Sequence, residues 1–167
     1  NGNVVVTGYS VTVGNCPVGP CIPPLRYQKY TAKYAASDGT LLWERWGYDG
    51  KDKAQAVAVD SSGNVVVTGD RDGSYYTAMY DAAVGATMWE QFYQGPAGSS
   101  NFIGGSHALA LGPGGSVVIT GTSSGDYATV KYLTYPTPVV LSLAVMTEGA
   151  RLRFTGDAGR TYRLQRA

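Results

Sequence analysis

Short runs of alternating apolar and polar residues, each closed by glycine, make up most of this chain. In Tyr30-Thr-Ala-Lys-Tyr34 and Tyr76-Thr-Ala-Met-Tyr80 the tyrosines and the alanine between them fall on one side at a period of two, the mark of a β-strand. Val65-Val-Val67 is apolar on both sides, as expected of a strand covered on both faces. Leu152 and Phe154 alternate with Arg151 and Arg153, and Tyr162 and Leu164 with Arg163 and Gln165. No stretch sustains a 3.6-residue period. Ser61-Ser-Gly63 and Ser37-Asp-Gly39 predict hairpin turns in which glycine supplies a positive φ. The chain is therefore expected to be all-β.

These runs recur in a fixed order. Gly2-Asn-Val-Val-Val-Thr-Gly8 returns as Gly63-Asn-Val-Val-Val-Thr-Gly69 and as Gly115-Ser-Val-Val-Ile-Thr-Gly121. A tyrosine block follows each, ending at Tyr34, Tyr80 and Tyr132. Gly39-Thr-Leu-Leu-Trp43 and Gly85-Ala-Thr-Met-Trp89 come next, and Ala56-Val-Ala-Val-Asp60 and Ala108-Leu-Ala-Leu111 precede the valine block. Tyr34 and Tyr80 lie 46 residues apart, a spacing that suits four-stranded propeller blades. The expected architecture is a partial β-propeller of about 2.5–3 antiparallel blades over 1–133, with copies at 1–50, 51–95 and 106–133. The first copy lacks its Ala-x-Ala strand and the third its Trp strand, so the chain reads as the end of a longer propeller, open and prone to self-association. Residues 134–138, Thr-Tyr-Pro-Thr-Pro, read as a linker, and 139–167 as a truncated β-sandwich-like module. Small alanines suit the innermost strand. Trp43 and Trp89 suit an outer strand with their rings buried between blades. Gly8, Gly69 and Gly121 are expected to turn the chain with a positive φ.

Composition narrows the partners. The net charge is +1 and only 15% of residues are charged, against roughly 25% in an average domain. No global field would draw nucleic acid or an anionic membrane, and no run is long enough for a membrane-spanning helix. The chain opens inside a repeat, so a missing leader pattern says nothing about export. The five arginines after residue 150 alternate with apolar residues and read as a solvated strand face.

The four blocks resemble the bacterial seven-bladed β-propeller (SBBP) repeat family: an Ala-x-Ala-x-Asp strand, Gly-Asn-Val-x-Val-Thr-Gly, a tyrosine strand and Gly-x-x-x-Trp, here Ala56–Asp60, Gly63–Gly69, Thr31–Tyr34 and Gly39–Trp43. The resemblance covers about residues 1–133. It departs at a long insertion in the first copy and at Gly112-Pro-Gly114 in the third. It implies an extracellular or cell-surface bacterial protein with no shared catalytic residues. A looser resemblance, confined to Ser37-Asp-Gly-Thr-Leu-Leu-Trp43, is to the tryptophan-docking repeats of quinone-dependent dehydrogenases.

Candidate chemistry is sparse. Cys16 and Cys21 sit in a Pro- and Gly-rich insertion, where a short disulfide is the simplest reading and free thiols the alternative. A metal site there would need two further ligands, and the chain has one histidine. That residue, His107, has no nucleophile or carboxylate motif beside it. Asp70-Arg-Asp72-Gly73 resembles part of a calcium loop but has only two acidic ligands, so a polar turn is the better account. Lys29, Lys33 and Lys131 beside the tyrosine blocks could form an aromatic-basic recognition face, with strand packing the plainer reading. Gly112-Pro-Gly-Gly115 reads as a turn, without the lysine and helix of a phosphate loop. The expectation is a non-enzymatic extracellular propeller that binds a protein or glycan, or acts as a scaffold, through loops 9–27 and 94–106. No cofactor, nucleic acid or membrane insertion is expected, and the remaining blades of a parent propeller are expected as partners. The alternative is a fragment of a propeller enzyme of the quinone-dependent dehydrogenase type.

Overall fold

The alternating runs form strands. A computed structural model describes residues 2–15, 23–47, 50–95 and 104–133, and the backbone of two further strands at 140–146 and 149–155. The first sheet contains β1 (Val4–Val13), β2 (Leu25–Tyr34) and β3 (Leu41–Trp46), in that order. The second contains β4 (Asp52–Val59), β5 (Val65–Arg71), β6 (Ser74–Tyr80) and β7 (Thr87–Tyr93). The third runs β8 (Gly104–Leu111), β9 (Val117–Ser123), β10 (Asp126–Tyr132), β11 (Val140–Met146) and β12 (Gly149–Thr155), with a 3-10 turn at Pro113–Gly115. Every strand pairing is antiparallel. The protein is all-β, an open stack of three sheets in keeping with a partial propeller-like fold.

The sheets stack face to face, and two clusters fill the gaps. Trp43 and Val5 of the first sheet meet Val65, Val67, Tyr76, Ala78 and Tyr80 of the second. Val66, Tyr75, Met79 and Tyr93 of the second meet Val117, Ile119, Val130 and Tyr132 of the third. The triple valine thus splits as its pattern predicts, with Val65 and Val67 on one face, Val66 on the other, and all three at 0% exposure.

Four expectations need correction. β11 hydrogen-bonds to β10 in the register Lys131↔Leu141, so the third sheet has its outer strand and β12 extends it. The strands at 140–155 therefore continue the third sheet rather than open a separate module. This segment lacks the Trp motif that marks the outer strand in the first two copies, yet the free edge of β10 accepts a strand of matching register. The expected loop at 9–27 has strand at both ends: β1 and β2 pair through Val13↔Leu25, forming an arm about three residues, or roughly 10 Å, longer than the β5–β6 hairpin. Trp43 is buried, but Trp89 is only partly buried, packed on Tyr132 with ring centroids 5.9 Å apart. Finally, Gly8, Gly69 and Gly121 do not have positive φ. Glycine is needed at 69 and 121 because the inner strand bulges there, between Ala54 and Ala56 and between Ser106 and Ala108. A Cβ at Gly69 would overlap the Lys53 carbonyl oxygen, and one at Gly121 the Gly105 carbonyl oxygen. Gly8, whose sheet has no inner strand among the described residues, has nothing within 4 Å.

The turn glycines behave as their sequence predicts: Gly39 and Gly63 have φ of 73° and 85°, and Gly85, in the equivalent turn of the second sheet, has 65°. Gly85 also lies under the Trp43 ring, where a Cβ would come within 2.6 Å of Cδ2. The Asp81–Gly85 turn docks the second sheet on the first. Its carbonyls accept from Lys33 Nζ at Ala82 (2.7 Å), Arg45 Nε at Gly85 (2.6 Å) and Arg45 Nη2 at Val84 (3.0 Å).

Candidate functional site

Alternation along β2 puts Tyr30 on the outer face of the first sheet and its neighbour Lys29 on the face toward the second. There Lys29 is 5% exposed, with Nζ 3.2 Å from the centroid of the Tyr76 ring. Around it lies a cleft of about 300 Å³, lined by Lys29, Arg45, Arg71, Tyr76, Tyr80 and Glu90. Arg71, at the end of β5, donates from Nε to Asp52 Oδ1 across 3.1 Å, and Asp52 is buried. Tyr76 donates its hydroxyl to Glu90 Oε2 at 3.1 Å and lies 3.4 Å from the Tyr80 hydroxyl. Gly47, next to the end of β3, makes room: a Cβ there would overlap Lys29 Cγ and come within 2.6 Å of Asp52 Oδ2.

The electrostatics follow from burial. Desolvation pushes the Lys29 ammonium down to about 8; Asp52 and then Glu90 oppose that shift, and Arg71 adds to it. Burial, reinforced by Tyr80 and Glu90, raises the Tyr76 phenol, so it stays a neutral donor. Three cations, Lys29, Arg45 and Arg71, stand against two carboxylates, Asp52 and Glu90. Arg71 is committed to Asp52, and Arg45 to the Asp81–Gly85 turn. Lys29 rests on an aromatic face, with no hydrogen-bond acceptor for its ammonium among the described residues.

The next sheet interface solves the same position differently. By register, Tyr75 stands in the second sheet where Lys29 stands in the first, and Gly104 and Ser123 replace Asp52 and Arg71. There Tyr75 packs beside Tyr93 at 5.3 Å, inside an apolar core. Stacking in this repeat therefore works without buried ions, which cost desolvation energy. The charged cleft is a departure confined to one interface among the described residues.

Other candidates fall elsewhere. Asp70 caps the β5–β6 turn by accepting from Gly73 N at 2.9 Å, and burial raises its carboxyl. Asp72, at φ 50°, forms an exposed ion pair with Lys51 at 3.2 Å. Among the described residues no three His, Cys, Asp or Glu side chains group as metal ligands. His107 is exposed on β8 beside the bulge, 3.5 Å from Thr122 Oγ1. Cys16, Cys21 and residues 96–103 lie outside the described residues. Lys131 is on the outer face of the third sheet, away from the cleft.

Sequence reasoning named Lys29 but read it as packing. Aligning the tyrosine blocks one residue further upstream would have exposed it, since Lys29 is charged where the later copies have Tyr75 and Tyr127. A second missed feature is a threonine pair in every sheet. Thr7 and Thr31 lie 2.8 Å apart, Thr68 and Thr77 3.0 Å, and Thr120 and Thr129 3.2 Å. The first of each pair also donates to a backbone carbonyl of the neighbouring strand, at Tyr30, Tyr76 and Ala128. Compared with known proteins, the chain matches no family model, no curated protein and no solved structure.

Proposed function

We propose that this chain is an extracellular binding scaffold of the propeller type, and that its ligand places an anionic group in the cleft over Lys29. The observation that carries the reading is Lys29, 5% exposed, with its ammonium on the Tyr76 ring and no acceptor for it among the described residues, at a position where the same repeat is otherwise aromatic. An arriving carboxylate or phosphate would accept from Lys29, and Glu90 and the Tyr80 hydroxyl would take up polar groups beside it. The β1–β2 arm rises at this end of the first sheet and would form one wall of the approach. The resemblance to the SBBP repeat supports the scaffold class and the extracellular setting. Protein and glycan ligands both carry such anions.

Titration of the chain with glucuronate, inorganic phosphate and an aspartate-rich peptide, followed by amide chemical shifts, tests the reading. At least one probe should shift the amides around Lys29, Gly47 and Tyr76 saturably. Lys29→Met should weaken that binding at least about tenfold, as loss of a charged hydrogen bond would. No saturable shift with any probe, or unchanged binding by Lys29→Met, would refute it.

A further inference from the structure

The two outermost faces of the stack reproduce the two halves of the interface within it. In the second sheet, the half turned to the first consists of Val65, Val67, Tyr76, Ala78 and Tyr80, all at most 3% exposed. The pairing registers Val65↔Tyr80 and Val4↔Tyr34 put Val4, Val6, Tyr30, Ala32 and Tyr34 at the same positions of the first sheet. All five residue types are identical. The polar contacts repeat too. Tyr30 lies 3.3 Å from the Tyr34 hydroxyl and donates to Glu44 Oε2 at 3.0 Å, as Tyr76 does to Tyr80 and Glu90. Yet much of this outer face is open: Val4 is 53% exposed, Val6 40% and Trp46 54%, while Tyr30 and Tyr34 are partly buried and Ala32 is buried.

The complementary half is present at the other end. The first sheet meets the second with Val5, Thr7, Thr31 and Lys33, and Lys33 holds the Ala82 carbonyl of the docking turn. The register Val117↔Tyr132 places Val118, Thr120, Thr129 and Lys131 at those positions on the face of the third sheet turned away from the second, where Thr120 is exposed and the other three are partly buried. Again every residue type is the same. The turn that would receive Lys131 also exists: Ala36 occupies, in the Ala35–Thr40 turn, the place of Ala82 in the Asp81–Ala86 turn, and both turns close with the same pair of backbone hydrogen bonds.

We infer that the outer face of the first sheet is a docking surface for a second copy of this chain, which applies the free face of its third sheet there. In this contact Lys131 of one copy donates to the Ala36 carbonyl of the other, Val118 packs over Val4 and Val6, and Tyr127 stands over Tyr30, where Lys29 stands over Tyr76 inside the chain. The interface is heterologous, joining unlike surfaces. The second copy is favoured over an unrelated partner because this chain carries both halves, matched position by position to an interface it already makes.

Sedimentation velocity on three proteins tests this: the native chain, Val6→Asp in the receiving face and Val118→Asp in the applied face. Lys131→Glu serves as a milder second variant, and circular dichroism melts confirm folding. The native chain should associate reversibly. Each variant alone should associate at least about tenfold more weakly. An equimolar mixture of Val6→Asp and Val118→Asp should recover a one-to-one dimer, because each supplies the face the other has lost. A native chain that stays monomeric at every concentration overturns the inference, as does a folded face variant that associates like the native chain. A mixture that stays monomeric overturns it too.

Discussion

Substituting alanine for the glycine that ends each Val-Thr-Gly motif separates two physical roles of one sequence signal. At Gly69 an added Cβ overlaps the Lys53 carbonyl oxygen and lies 2.9 Å from Ala54 Cα. Both obstacles are backbone, so no rotamer change relieves them. The bulge at Ala54/Ala56 that brings them close is held by the flanking ladder. Forcing an extra carbon into such a contact costs about 1–3 kcal/mol or somewhat more. Alanine returns roughly 0.5–1 kcal/mol through the less flexible unfolded chain. A net loss of about 2 kcal/mol, or roughly 4–8 °C in Tm for a chain of this size, follows for Gly69→Ala. Gly121→Ala faces the same obstruction from Gly105 and Ser106 and should lose a similar amount. Gly8→Ala meets nothing within 4 Å and needs no unusual φ, so it should be neutral or gain up to about 1 kcal/mol. Urea unfolding followed by tryptophan fluorescence measures all three. Equal destabilisation by Gly8→Ala and Gly69→Ala would refute the reasoning, since it would mean that the motif needs glycine for backbone conformation and not for room.

The remaining predictions concern the cleft, the tryptophans and the cysteines. Lys29 sits near pKa 8 in the folded chain and 10.5 when unfolded, so the unfolded state binds more protons between those values. Stability should therefore rise as pH climbs from about 8 to about 10.5, by about 3 kcal/mol at most, and Lys29→Met should remove that rise; a native profile flat across this window would contradict the burial argument. Trp43→Ala should cost about 3–5 kcal/mol and Trp89→Ala less, because only the first ring is fully enclosed; urea melts showing the reverse order would count against the packing described. Cys16 and Cys21 should form a disulfide in protein made in an exporting host, read by mass spectrometry with and without reductant, with only modest loss of stability on reduction.

By itself the sequence determined the class of fold, the strands and the repeat, because these rest on local rules. A period of two, glycine at the turns and blocks returning at constant spacing survive in any context. The buried triple valine and the positive φ of Gly39 and Gly63 follow from such rules. Tertiary structure decided what local rules do not encode. Whether Gly69 needs room or an unusual φ depends on a bulge in a neighbouring strand. Whether 140–146 starts a new module or completes the third sheet depends on the free edge of β10, which attracts through backbone groups common to every residue. The candidate site lay in the same blind spot. Lys29 and Tyr76 are 47 residues apart and belong to different sheets, and only stacking puts an ammonium on that ring. Burial, which pushes the lysine pKa down, is a property of the space between sheets and not of either strand.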